Sequence, residues 1–221
     1  MKALSITKLP RSTRRLARSL SPVSPRVYHV PTRVRSLKPN GEYWTDSELL
    51  ALGESSDIKY ELCDGEIIAI PPAKPRHGMV ISQLIYLLGC HVYEHKLGKI
   101  FEGQTGFRLS FEHCYEPDVS FVSNDRMKLI LTDEGLDGLF HAAPDLAVEV
   151  RSPSDGRTTL LQKAREYLRH GSRLVWIIDP DAQDVVDLRS GEPPRTLRLG
   201  DELDGGDVVP GFRFPVSRLF E

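Results

Sequence analysis

Pro117-Asp118-Val119-Ser120-Phe121-Val122 and Leu146-Ala147-Val148-Glu149-Val150-Arg151-Ser152-Pro153-Ser154, followed by Lys163, decide the reading of this chain. Each of the first two stretches is a short apolar run that carries one acid. Asp118 stands at the entry to the first run, and Glu149 stands inside the second. Runs of about four to eight apolar residues bounded by turn formers read as buried strands. A carboxylate in such a run is unfavourable unless it is paired or bound to a cation. Two carboxylates on neighbouring strands can hold a hard divalent cation such as Mg²⁺, which takes oxygen ligands and keeps several waters. The Val150 carbonyl offers a third oxygen. Lys163 falls on the following helix, where an ammonium can position an attacking water or stabilise the charge of a phosphorane. Acid, acid and lysine in that order are the parts of a metal-assisted phosphodiester hydrolysis site. The bland reading makes Asp118 a turn acid after Pro117 and Glu149 the salt-bridge partner of Lys163 or Arg151. The second pairing is compatible with a metal role.

Working outward, residues 158–170 read as a helix that turns Leu160, Leu161, Ala164 and Leu168 inward and is closed by Gly171. The serines of the preceding loop are placed to cap it. Residues 173–178 form another buried strand, and short strands follow to the C-terminus. Upstream, Val80, Ile81, Leu84, Ile85, Leu88 and Val92 recur at helical spacing, which predicts a long helix over 77–97 with Gly98 as its C′ residue. Asp64-Gly65 between two strand-like runs is a hairpin signal. Thr45 with Glu48 three residues on is a capping box for a short helix ending at Gly53. Strands are expected at 99–101, 105–111 and 118–121, with a short helix inside 123–141. The order helix, hairpin, helix, strands, helix, strand predicts an α/β (α+β) fold with a central mixed sheet flanked by helices.

The chain has 221 residues, with 27% charged and 40% hydrophobic, enough for one domain with a full core. No apolar run approaches the ~18 residues of a membrane helix. The net charge is −2, yet residues 1–38 hold ten Lys or Arg and no acid. The remainder then carries 19 basic and 31 acidic residues, a balance of −12. We expect 1–38 to be a disordered basic extension, read as a nucleic-acid arm, a transit-like segment or a solvated tail. Residues 39–221 are the folded domain. The −12 body excludes a high-affinity non-specific DNA binder, because such affinity comes from neutralising phosphates. Three widely spaced cysteines, Cys63, Cys90 and Cys114, predict free and mostly buried thiols in a cytoplasmic protein. No G-x-S-x-G elbow, P-loop or G-x-G-x-x-G fingerprint is present.

Tyr60-Glu61-Leu62, Asp64-Gly65-Glu66, His77, Pro117-Asp118, Glu149-Val150-x-Ser152-Pro153-Ser154, Lys163, Tyr167, Asp179-Pro180 and the terminal Pro210-Gly211-Phe212 occur in this order. Together they resemble the Uma family of restriction endonucleases, within the PD-(D/E)XK nuclease superfamily. The resemblance implies a restriction-endonuclease-like core, a Mg²⁺- or Mn²⁺-dependent DNA endonuclease, and a homodimer. It implies Asp118, Glu149 and Val150 as metal ligands, with Glu66 as a third acid supported by Glu61. His77 would contact phosphate or a metal-bound water. The superfamily places a lysine two residues after the second acid. Here Arg151 occupies that position, and arginine cannot act as a base. The resemblance moves the lysine to Lys163, with Tyr167 one turn further along the helix. Two other readings stay open. One is a catalytically inactive nuclease-fold protein that binds nucleic acid or a protein partner; the other is a hydrolase of a smaller phosphoester.

Overall fold

The computed structural model describes residues 42–54, 58–153 and 155–221, so the basic extension lies outside the described residues. Helix α1 (Asp46–Glu54) starts on the expected capping box. The Thr45 N–H donates to Glu48 Oε2 at 2.9 Å, and the Glu48 N–H donates to Thr45 Oγ1 at 3.4 Å. The helix continues one residue past Gly53. Strands β1 (Lys59–Cys63) and β2 (Glu66–Ile70) form the antiparallel hairpin. Its turn holds Asp64 at φ 51° and Gly65 at φ 72°, the left-handed pair that a two-residue hairpin turn requires.

Helix α2 (Pro75–Glu94) opens with proline in its first turn and buries Val80, Leu84, Leu88 and Val92. It ends earlier than its apolar period suggests, with Lys96 in the left-handed region at φ 54°. Gly98 is therefore not a helix cap; it opens β3 (Gly98–Glu102). A Cβ there would sit 2.1 Å from the Val122 carbonyl oxygen, so the close approach of β3 to β6 (Val119–Ser123) is what requires glycine. The strand expected over 105–111 contracts to β4 (Phe107–Arg108), because the Leu109 and Ser110 amides turn back to the His113 carbonyl. β5 (Cys114–Tyr115) follows, and α3 (Asn124–Ile130) is capped by Ser123 Oγ.

The central unit is β7 (Leu146–Val150), helix α4 (Arg157–Arg169) and β8 (Leu174–Asp179). β7 and β8 are parallel and α4 is the crossover between them. The N-cap of α4 is Gly156 and no side chain caps it, which corrects the serine-cap expectation. The Ser152 N–H instead donates to Asp155 Oδ2 at 2.8 Å, while Ser154 lies outside the described residues. β9 (Asp184–Arg189), β10 (Arg195–Leu197), β11 (Glu202–Asp204) and β12 (Arg213–Pro215) follow, and a short 3-10 helix (Val216–Leu219) comes after β12.

The large sheet has the order β10-β9-β8-β7-β6-β3 and is mixed, as expected. The hairpin belongs to a second sheet, β2-β1-β5-β4, and β11 pairs with β12. One face of the large sheet packs Val148, Val150, Trp176 and Ile178 with Val80, Leu84 and Leu88 of α2. The other packs Ala147, Val175 and Ile177 with Leu160, Ala164 and Tyr167 of α4 and with Tyr115 of the small sheet. The alternation along β7 thus turns Glu149 toward α4. All three cysteines are free; Cys114 is buried and Cys63 half-buried, but Cys90 is exposed, against expectation. No helix among the described residues is long and apolar enough to cross a membrane.

Candidate functional site

The strand pairing brings Asp118 and Glu149 to one end of the large sheet, since β6 pairs with β7 through Val119↔Val148. Asp118 Oδ2 accepts the Val150 N–H at 2.7 Å. Both acids are therefore fixed to the same β7 residue pair, one by covalent position and one by a backbone hydrogen bond. His77, on the first turn of α2, places Nε2 3.3 Å from Asp118 Oδ2. Its Nδ1 is buried without a hydrogen-bond partner among the described residues.

Glu149 is buried, and its Oε1 takes two donors. Lys163 Nζ lies at 2.8 Å and the Tyr167 hydroxyl donates at 2.8 Å. Lys163 and Tyr167 stand four residues apart on α4, which sets them on one face of the helix. Lys163 also donates to Glu61 Oε1 at 2.7 Å, reaching across to the hairpin of the small sheet. Glu61 Oε1 further accepts the Glu116 N–H at 2.9 Å. The Lys163 ammonium lies 5.2 Å from the Tyr115 ring centroid and 6.0 Å from that of Tyr167. Lys59 closes the outer side, donating to the Glu116 carbonyl at 2.6 Å.

Burial decides the electrostatics of Glu149. Desolvation pushes its carboxyl up to about 7 against the pull of Lys163, with Glu61 and Asp118 adding to the push. Burial also raises Glu116 to about 7, and Lys59 opposes it. Asp118 goes the other way. Burial favours its neutral form, but the hydrogen bond and charge of His77, the charge of Lys59 and the Val150 N–H outweigh it, so the carboxyl stays below the usual range. Burial alone would lower His77, yet Asp118 and the Val150 backbone raise it above its ordinary value. Burial would likewise discharge Lys163, but Glu149 and Glu61 together hold it cationic. The site is thus two linked units: an Asp118–His77 pair beside Val150, and a lysine clamped between two buried glutamates.

The expected residues Asp118, Glu149, Val150, Lys163, Tyr167 and His77 come together here. Glu66 lies on the same hairpin face as Glu61, opposite Cys63 at the turn end of β2, and the lysine contact belongs to Glu61. Arg151 is turned away to Asp179, at 3.0 Å. Tyr115, Glu116 and Lys59 are the members sequence reading missed. Glu116 adjoins Pro117-Asp118 and could have been included by adjacency, while Tyr115 and Lys59 carry no local signal. Among the described residues, no group of three or more His, Cys, Asp or Glu side chains is arranged to hold a metal ion.

The family model named Uma2, described as "Putative restriction endonuclease", matches residues 44–217. A crystal structure described as a putative nuclease belonging to DUF820, from Anabaena variabilis, is similar in fold with a TM-score of 0.70. It is 23% identical, and the match covers 80% of this chain and 97% of that one. No curated protein matches the chain.

Proposed function

Because the chain belongs to the Uma2 family of restriction-endonuclease type, we propose that it is a metal-dependent DNA endonuclease working through Asp118, Glu149 and Lys163. The observation that carries this reading is the lysine placed between Glu61 and Glu149, one residue pair away from the Asp118–Val150 hydrogen bond. Asp118, Glu149 and the Val150 carbonyl would hold the cation. The donor set fits a hard ion such as Mg²⁺ or Mn²⁺: all are oxygens, Asp118 is kept anionic, and both donors to Glu149 engage Oε1 and not Oε2. When bound, the ion supplies charge to a phosphoryl oxygen and lowers the pKa of a water.

The chain's own residues have distinct parts. Lys163 is held cationic, so it serves as a fixed positive charge beside the phosphate and not as a base. Tyr167 orients the Glu149 carboxylate by donating to Oε1. His77 does the same for Asp118 from Nε2. Glu66 extends the acidic face from the turn end of the hairpin. Arg151 is occupied by Asp179 and stays protonated, so it takes no proton.

The test is cleavage of supercoiled plasmid with Mg²⁺ or Mn²⁺. Wild type is expected to cut, and Asp118→Ala, Glu149→Ala and Lys163→Ala to lose on the order of a hundredfold or more. Full cleavage by Asp118→Ala would sink the assignment. A second reading, a nuclease fold used only for binding, is favoured by the enclosure of Lys163 and the engagement of Arg151. It would be chosen if wild type neither cuts with any metal nor gives heat on titration with Mn²⁺.

A further inference from the structure

Helix α2 buries one side against the large sheet and turns the other outward. The outward stripe is Pro75, Met79, Ser82, Tyr86, Cys90 and Tyr93, all exposed and all uncharged. Met79 is 62% exposed, Tyr86 65% and Tyr93 53%. A solvated helix face ordinarily carries its charges along such a line, and 27% of this chain is charged. Charges stand only at the two ends of the flank beside the stripe. Arg76 is at the N-terminal end and Glu94 at the C-terminal end, 18 residues apart and so on the same side of the helix at about 100° per residue. Arg76 meets Asp181 at 2.9 Å on the surface, with both side chains more than half exposed. Lys99 of β3 lies over the Tyr93 ring at 5.5 Å.

We propose that this stripe is a two-fold interface with a second copy of the chain, the α2 helices packing antiparallel about a point near residue 85. In an antiparallel pair, the same flank of each helix meets its counterpart, so Arg76 of one copy faces Glu94 of the other, twice. The same register sets large against small. Tyr86 enters beside Ser82 of the second copy, Met79 lies against Cys90, and Tyr93 lies over Pro75 and Gly78. The interface is therefore self-complementary in shape and in charge, which a closed dimer requires. It places the two His77 residues about 24 Å apart along the helix direction. This inference does not depend on the nuclease reading.

Sedimentation velocity of the full chain tests it, with circular dichroism as the folding check. Wild type is expected to be a dimer at micromolar concentration, and Tyr86→Glu to weaken it by on the order of a hundredfold or more while the fold is kept, since the side chain is exposed. Arg76→Glu and Glu94→Arg are each expected to weaken the dimer about tenfold, and the double exchange Arg76→Glu/Glu94→Arg to restore it. A monomeric wild type would overturn the proposal, as would a dimer indifferent to Tyr86→Glu. Failure of the double exchange to restore the single variants would overturn the antiparallel register.

Discussion

Glu149 and its neighbours concentrate the energetics of the site in a few atoms. Replacing Lys163 with Met leaves two buried carboxylates without their cation, a loss expected to cost about 3–5 kcal/mol in unfolding free energy. Tyr167→Phe removes only the hydroxyl donor to Oε1 and is expected to cost about 1–3 kcal/mol. Urea denaturation of the two variants checks the ranking, and a larger loss in Tyr167→Phe would contradict it. The pH dependence has an unusual sign. Glu149 and Glu116 are raised to about 7 in the folded protein from 4.5. A raised carboxyl binds its proton more tightly when folded, so its stabilisation is full below 4.5 and is lost as pH rises to about 7. His77, also raised, loses its contribution as pH rises past its folded value. Asp118, lowered, loses its contribution only as pH falls below 3.8. Metal-free protein is therefore expected to lose stability between about pH 5 and 7.5, read as a falling Tm, by on the order of 2–3 kcal/mol of unfolding free energy per raised carboxyl. The Glu116→Gln/Glu149→Gln variant should flatten that slope; an unchanged slope would remove these two groups as its origin.

Elements differ in how much of their reason is local, and glycine shows it. Gly65 was legible because the positive φ of a two-residue turn is a property of the turn itself. Gly98 was misread as a helix end because its reason lies across the sheet, in the Val122 carbonyl of a strand more than twenty residues away. Gly98→Ala is accordingly expected to destabilise by about 3 kcal/mol or more, since backbone must move. Gly53→Ala in α1, where no atom lies within 4 Å of the added Cβ, should be neutral or gain up to about 1 kcal/mol. Thermal melts of both variants test the contrast. The same distinction governs the rest of the reading. The β7–α4–β8 unit, the hairpin and the first capping box are written in local period and turn chemistry, and they stand where expected. The assignment of 105–111 to one strand failed because a local turn, closed by the Leu109 and Ser110 amides on the His113 carbonyl, overrides its strand propensity. Asp118, Glu149 and Lys163 were legible as charges in or beside apolar segments. Glu61 was ranked below Glu66 because the sequence does not say which hairpin position the crossover lysine will reach; that depends on how the two sheets pack.

At the scale of the whole molecule, Lys163 is the tie between the two sheets: Glu61 comes from the small one and Glu149 from the large one. A buried cation between two acids is a poor way to join layers, since the desolvation of the charges offsets much of their attraction. Retaining it at a joint that Tyr115, Ala147 and Leu160 already pack with apolar contacts points to chemistry, not adhesion. The triple variant Glu61→Gln/Glu149→Gln/Lys163→Met separates the two roles. The glutamine oxygens can still accept from the Glu116 N–H and the Tyr167 hydroxyl, so these two donors keep their acceptors. Its stability is expected to exceed that of Lys163→Met alone, because no buried charge is left without a partner, while plasmid cleavage is lost. A triple variant as unstable as Lys163→Met would instead make the charged trio a structural joint. The nuclease reading would then have to rest on Asp118 and Val150 alone.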